Sequence, residues 1–512
     1  MDERGRGYSA SGGCDGTFEK AFAMAARVDL LLINPPMALF PPDYPQKGMF
    51  VRFIQPAINP GILSIASYAA ERGFDVRIVD YSEVGALSKA QDNEVSFDAQ
   101  SLLRLLEETS PRAVGISNTS VFDYLECQLL FRLVKQWRPD VFCVGGGQNI
   151  SMLGEIALHD IPELDAIVVG EGEYAVIELL QQLGAGKTVG GIPGVMTRSG
   201  CHYAPSRQTV DINTLPPPRF DLYPGYQSFI PYIEESRGCW ARCNFCPNQA
   251  FYGAKARTKT PEILERDLAN AVKHFGTRRI FALTTSIFDR ANESAIDEFC
   301  SRFERYGVHW TTQTRCDVKI ARFLPRLHAA GLFLLNMGLE SGSPTILRNM
   351  GKTPNPEIYL ELASEALDAV EAIGTLWTCC NIIFFPGESR KTMKETLNFL
   401  VRHQNALNAV VANPVFGFPG AAIWRDPGLV TRLGGVMFES DYCRKTHHFP
   451  VAPSHEFGLE EIGHFSETLE KVFTANPILD TELDYRDMEP SFFGGQVGSR
   501  TLSPDLPGRT NG

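Results

Sequence analysis

Cys239, Cys243 and Cys246 stand in the run Ser236-Arg237-Gly238-Cys239-Trp240-Ala241-Arg242-Cys243-Asn244-Phe245-Cys246-Pro247. The spacing is C-x3-C-x2-C, one cysteine short of the four thiolates that close an ordinary structural zinc or iron–sulfur site. Three thiolates can hold three irons of a [4Fe–4S] cube, which leaves the fourth iron open to a chelating small molecule. S-adenosylmethionine fits that description, since its amino and carboxylate groups can bind the open iron while an electron from the cluster cleaves the sulfonium. The spacing alone also allows a zinc site completed by a remote ligand, or a chance grouping.

The elements around this loop decide between those readings. From residue 232 onward short apolar runs alternate with amphipathic ones: strands at 232–235, 279–283, 308–314, 332–339, 376–385 and 409–412, and helices at 261–275, 292–306, 320–330, 356–373 and 389–403. Six β-α units predict a partial, open TIM-like barrel, whose chemistry sits at the C-terminal ends of its strands. The cysteine loop follows the first of those strands. Other strand ends carry Arg315 and Asp317, the stretch Met337-Gly338-Leu339-Glu340-Ser341-Gly342-Ser343, and an apolar run from Asn381 that closes on Pro386-Gly387. Strand two ends in Thr284-Thr285-Ser286-Ile287-Phe288-Asp289.

The first half alternates in the same way, with strands at 28–34, 76–80, 113–117, 141–144 and 166–169 and helices between them. Nearly all-apolar strands predict a doubly wound parallel sheet, which binds ligands beyond its carboxyl ends. The loops there are Asn34-Pro35-Pro36, Ser117-Asn118-Thr119-Ser120, Gly145-Gly146-Gly147-Gln148 and Gly170-Glu171-Gly172-Glu173. Glycines let a backbone come close to a large flat ligand. No G-x-G-x-x-G follows the first strand, which disfavours a dinucleotide.

The chain has 512 residues, enough for about three units. Expected segments are a disordered tail at 1–27, the Rossmann-like domain at 28–200, a proline-rich linker at 201–227, the barrel at 228–415, a C-terminal region at 416–490 and a disordered tail at 491–512. With a net charge of -12 and no basic patch, nucleic acid is not an expected partner. The 12 cysteines are mostly scattered, unlike a secreted disulfide framework. The N-terminus has no apolar signal core, and no apolar run approaches the ~20 residues of a membrane span. These features predict a cytoplasmic enzyme.

The cysteine loop, with its Ser-Arg-Gly prefix and Phe/Pro surroundings, resembles the radical S-adenosylmethionine superfamily. The resemblance implies that Cys239, Cys243 and Cys246 ligate the cluster, that Phe245 packs near the adenine, and that Glu340 and Ser341 of a Gly-x-Glu-Ser-Gly stretch contact S-adenosylmethionine. Arg315 resembles an Arg-x-Asp position, pairing with the methionine carboxylate or with Asp317. Lys352 resembles a recurring basic residue and reads as a solvated charge. Relatives carry an acid at the end of strand two; here Asp289 is its displaced equivalent. The first half resembles the cobalamin-binding domain upstream of many such enzymes, on the Asn-Pro-Pro, the Asp-Tyr after strand two, the triple glycine and Val-Gly-Glu-Gly-Glu. It implies cobalamin contacts at Asn34, Pro35, Ser117, Thr119, Gly145, Gly146, Gly147, Gln148, Gly170, Glu171, Gly172 and Glu173. The D-x-H-x-x-G motif of histidine-ligated members is missing, and His159 is followed by Asp160, so the expected state is base-off without a histidine ligand. Together these resemblances imply a C-methyltransferase that uses methylcobalamin on a small natural-product-type substrate, with an electron donor such as flavodoxin or ferredoxin. A radical cyclase or mutase, or a corrinoid or redox sensor, are the alternatives.

Overall fold

A computed structural model describes residues 27–36, 58–82, 98–198, 209–277, 280–284 and 292–473. The loop holding Thr285 to Asp289 and the 491–512 segment lie outside them, as does nearly all of 1–27.

The first sheet contains β1 (Leu30–Asn34), β2 (Val76–Asp80), β3 (Ala113–Ser117), β4 (Phe142–Gly146), β5 (Ala166–Val168) and β6 (Val195–Thr197), in the order β2-β1-β3-β4-β5-β6. The first five are parallel, and β6 runs antiparallel to β5 at the edge. This sixth strand departs from the expected five units. Both faces of the sheet are covered, which is why its strands read as nearly continuous apolar runs. Leu30 and Leu32 enter one core, and Leu31 and Ile33 enter another on the opposite face. The helix Pro60–Glu71 begins where the Asn59 side chain accepts the N–H groups of Gly61 and Ile62, with proline in its first turn.

The linker region is docked rather than free. Leu215, Phe220, Tyr223 and Phe229 join Leu30 and Leu32 in one continuous core with Leu335 and Trp310 of the second half. The Tyr223 hydroxyl donates to Asp80 and accepts the Asn59 N–H.

In the second half, β7 (Tyr232–Glu234) leads to a short pair, β8 (Ser236–Arg237) and β9 (Arg257–Thr258). The strands β10 (Ile280–Thr284), β11 (His309–Arg315), β12 (Leu332–Glu340), β13 (Trp377–Phe384) and β14 (Ala409–Pro414) follow. The sheet order is β14-β13-β12-β11-β10-β7, all parallel and in chain sequence. This is the expected open partial barrel. The C-terminal region expected from residue 416 contains a small sheet of β15 (Phe416–Gly417), β16 (Val436–Met437) and β17 (Phe449–Ala452), and a helix Leu459–Phe473 packed on β14.

Candidate active site

The antiparallel pair β8 and β9 brackets the cysteine loop. Gly238 opens the loop at φ +91°, and a Cβ there would stand 2.5 Å from the Lys255 carbonyl oxygen, so only glycine fits. Asn244 fixes the middle. Its N–H donates to the Met350 carbonyl at 2.8 Å, its side-chain amide to the Asn349 carbonyl at 2.8 Å, and its own carbonyl accepts the Ile423 N–H at 3.1 Å. The three thiols line one cavity of about 840 Å³ inside the barrel mouth. Burial pushes the Cys246 thiol up to about 11, so ligation rather than ordinary titration would make it a thiolate. Among the described residues no three His, Cys, Asp or Glu side chains are gathered around one point, as a single ion would need. A cube takes one thiolate per corner, and three half-buried thiols on one loop, facing one cavity, can supply three of them.

Arg315 supports this loop from β11. Its Nη1 donates to Cys243 Sγ at 3.3 Å, its Nε and Nη2 grip Asp317 at 2.8 and 2.6 Å, and Nη2 also reaches the Lys352 carbonyl at 2.5 Å. Its guanidinium lies 4.8 Å from the Trp240 ring centroid. Burial works against the charge, but Asp317 outweighs it and raises the Arg315 pKa. Asp317 is one of its two expected partners.

Lys352 corrects the sequence expectation. It is not solvated: it is buried, with Nζ donating to Glu340 Oε1 at 2.8 Å. Burial opposes its charge and the Glu340 carboxylate overrides that, raising its pKa. Glu340 ends β12 at φ 67°, beyond a register shift that follows Met337, so its carboxylate turns into the cavity from a left-handed backbone. Phe245 also lines the cavity, its ring 6.4 Å from Phe385. Ser341 does not. It is buried, paired with Thr396 at 3.1 Å, and caps the turn by accepting the Ser343 N–H.

A second cavity, of about 690 Å³, opens at the carboxyl ends of the first sheet. Asn34, Pro35, Ser117 and Thr119 line it, as do Gly145, Gly146, Gly147 and Gln148 and the run Gly170, Glu171, Gly172 and Glu173. The glycines differ in purpose. A Cβ on Gly145 would come 2.6 Å from the Ile150 side chain, and one on Gly172 2.8 Å from that of Ile65, so at both positions a neighbouring side chain would have to shift to admit it. Gly147, at φ +101°, would collide with the Asn118 carbonyl at 2.5 Å. Gly146 has nothing within 4 Å, so its missing side chain leaves open space in the cradle. That is the accommodation a broad corrin ring needs, and the residues present fit cobalamin. Sequence reasoning missed Asp123, which also lines this cavity. Burial pushes its carboxyl up to about 8, only partly offset by the Ser120 N–H and by the Asn118 amide at 2.5 Å.

The two cavities meet. Gln148, Tyr232, Glu234, Arg237, Tyr252 and Phe418 line both. Arg237, two residues before Cys239, bridges them: it binds Glu171 at 2.9 Å, Glu173 at 2.8 Å and Glu234 at 2.7 Å. Arg257 adds a second cation on Glu171 at 2.9 Å. The two acids of Gly-Glu-Gly-Glu are thus committed to holding the halves together. The sequence signal for this clamp is the arginine of the Ser-Arg-Gly prefix, two residues before the first cysteine.

Comparisons with known proteins agree with this arrangement. Residues 233–400 match the radical SAM superfamily, and residues 48–180 match the B12 binding domain. The chain belongs to the cobalamin-dependent radical S-adenosylmethionine enzymes. It is 26% identical over 425 residues to an uncharacterised methyltransferase of Pyrococcus horikoshii, covering 81% of this chain and 86% of that one. It is 25% identical over 350 residues to an anaerobic magnesium-protoporphyrin IX monomethyl ester cyclase of Synechocystis, covering 63% of each. Its fold matches the radical S-adenosylmethionine methyltransferase TsrM from Kitasatospora setae with a TM-score of 0.63, at 16% identity and 81% coverage of both chains. Among the described residues no helix is long and apolar enough to cross a membrane.

Proposed function

We propose that this enzyme is a cytoplasmic C-methyltransferase that acts on an unactivated carbon of a small natural-product-type molecule. The observation that carries the reading is the shared wall between the two cavities, which puts a thiol-lined barrel mouth next to a glycine-walled crevice. When bound, the cluster supplies the electron that cleaves S-adenosylmethionine, and base-off cobalamin without a histidine ligand supplies the methyl group. The chain's own residues bind and orient. Cys239, Cys243 and Cys246 hold three irons. Arg315 steadies Cys243 through its hydrogen bond. Glu340 accepts hydrogen bonds from S-adenosylmethionine, with Lys352 holding its carboxylate in place. Gly146 leaves room for the corrin, and Phe418 and Tyr252, on the common wall, keep water from the passage between the sites. A flavodoxin or ferredoxin delivers the electron.

The test is product analysis with cobalamin and a reductant present. Methyl transfer yields both 5′-deoxyadenosine and S-adenosylhomocysteine. The likeness to the cyclase favours one second reading, radical ring formation, which yields 5′-deoxyadenosine without the homocysteine product. Neither product would overturn both readings.

A further inference from the structure

Four consecutive barrel strands each carry one carboxamide on the cavity wall: Gln313 on β11, Asn336 on β12, Asn381 on β13 and Asn413 on β14. In the sheet register Gln313 stands directly opposite Asn336. Asn381 lies two residues beyond Cys379, the partner of Asn336, and Asn413 pairs with Ile383, two residues further still. The carboxamides therefore form a staircase from the barrel interior toward its mouth. Among the described residues none of the four side chains has a hydrogen-bond partner in the protein. Carboxamides nearby behave differently: Asn34, Asn59, Asn118 and Asn244 are all engaged by other groups of the protein. A carboxamide can donate twice and accept twice, and here Gln313 is exposed to the cavity and the other three are half-buried, so their polar groups stand open to whatever enters it. Four in a row, none serving the fold, mark a surface built for a ligand.

The charges of this cavity are already spent on one another. Glu234 pairs with Arg237, Arg315 with Asp317, and Glu340 with Lys352. A charged substrate would find no free counter-ion among the described residues and would be desolvated beside neutral amides. Resting on the reading above, we propose that the substrate is uncharged where it enters the barrel and presents an amide-type group, a carboxamide, lactam or peptide unit, to Gln313 and Asn336. Such a group complements a carboxamide because it too offers a donor and an acceptor in one plane.

Matched probes test this: nicotinamide against nicotinate, and benzamide against benzoate, read by saturation-transfer NMR on the full-length, cluster-reconstituted protein with S-adenosylhomocysteine bound. The amides should bind at least about 10-fold more tightly than the acids, and the Gln313→Leu and Asn336→Leu variants should each lose about 2- to 10-fold of that affinity. Iron content, S-adenosylhomocysteine affinity and melting temperature should stay at wild-type values, since no protein partner is lost. Equal or tighter binding of the acids would overturn the proposal. So would amide binding unaltered in the variants, a lowered melting point in both, or a loss of S-adenosylhomocysteine affinity, which would assign the carboxamides to the cosubstrate or the fold. Formation of 5′-deoxyadenosine by the wild-type enzyme tests the underlying reading separately.

Discussion

The two cavities share a wall but are built on opposite principles. The crevice over the first sheet is bounded by glycines, short polar loops and aliphatic strand ends, with the two acids of its Gly-Glu-Gly-Glu loop turned aside to clamp Arg237. The barrel mouth is crowded with thiols, paired charges and carboxamides. One site receives a large rigid body by shape, with few directional contacts. The other positions reacting groups by direction, and so needs many polar atoms at set places. A chain that must bring a bulky carrier face to face with a small substrate can concentrate specificity in the second and keep the first permissive.

Breaking the directional site should have the largest effect. Replacing Cys239, Cys243 and Cys246 together by alanine should drop bound iron from about four per chain to background and abolish 5′-deoxyadenosine formation, while cobalamin binding persists. A triple variant that kept its iron would remove the barrel half of the comparison. Next is the shared wall. Arg237→Met leaves Glu173 without a cation and takes one from Glu171, which keeps Arg257, and from Glu234, which keeps Lys259 at 3.8 Å; a buried acid that loses its cation costs about 3–5 kcal/mol. Denaturant unfolding measures it, and a change under ~1 kcal/mol would mean that the clamp is incidental.

The permissive site is sharpened by two neighbouring glycines. Gly146→Val should lower cobalamin uptake at least ~10-fold with an unchanged melting temperature, because its side chain enters open space. Gly145→Val should instead destabilise the fold by about 1–3 kcal/mol, because its side chain meets Ile150. If both variants behaved alike, shape would not be the selecting principle. Glu340→Gln keeps the volume but loses the charge, and should weaken S-adenosylmethionine by roughly 10-fold without loss of iron. The smallest effect concerns the roof. The sheet containing Phe416 is pinned to the first domain by His447 Nε2 and Asp160 at 2.6 Å. Burial would raise the Asp160 pKa, but hydrogen bonds from His447, His159 and Tyr124 hold it below the ordinary range. A depressed carboxylate stabilises above its unfolded pKa of about 4 and loses that contribution as the pH falls below it. His447→Gln should therefore flatten the acid limb of a melting-temperature profile and leave neutral pH nearly untouched.

Much of this was legible because chemistry and topology coincide at strand ends. A cysteine run behind a strand, or glycines behind a strand, can be placed from the alternation of apolar segments alone. What could not be read was partnership across the fold. Lys352 looks like a surface charge until β12 brings Glu340 beside it. The pair β8 and β9 is two residues long on each side, too short for any periodicity. Strand β6 is only three residues long and runs against its one neighbour, β5. Ser341 sits in the same signature stretch as Glu340, yet it is one residue past the end of β12 and turns toward Thr396. The four carboxamides are in plain view, but in sequence an asparagine in a strand does not say which way it faces or whether anything answers it.

Six strands leave the barrel open, and β14 is its last, with a side that no strand among the described residues pairs and that would seed pairing with another molecule if uncovered. The helix Leu459–Phe473 lies against that strand, and the Glu470 carboxylate accepts the Ala412 N–H at 3.4 Å, a side chain taking a backbone role. A chain cut before this helix would keep every group named in the chemistry. Its failure would be colloidal: the exposed strand would template other copies, and the protein would be lost as aggregate before any missing activity could be measured.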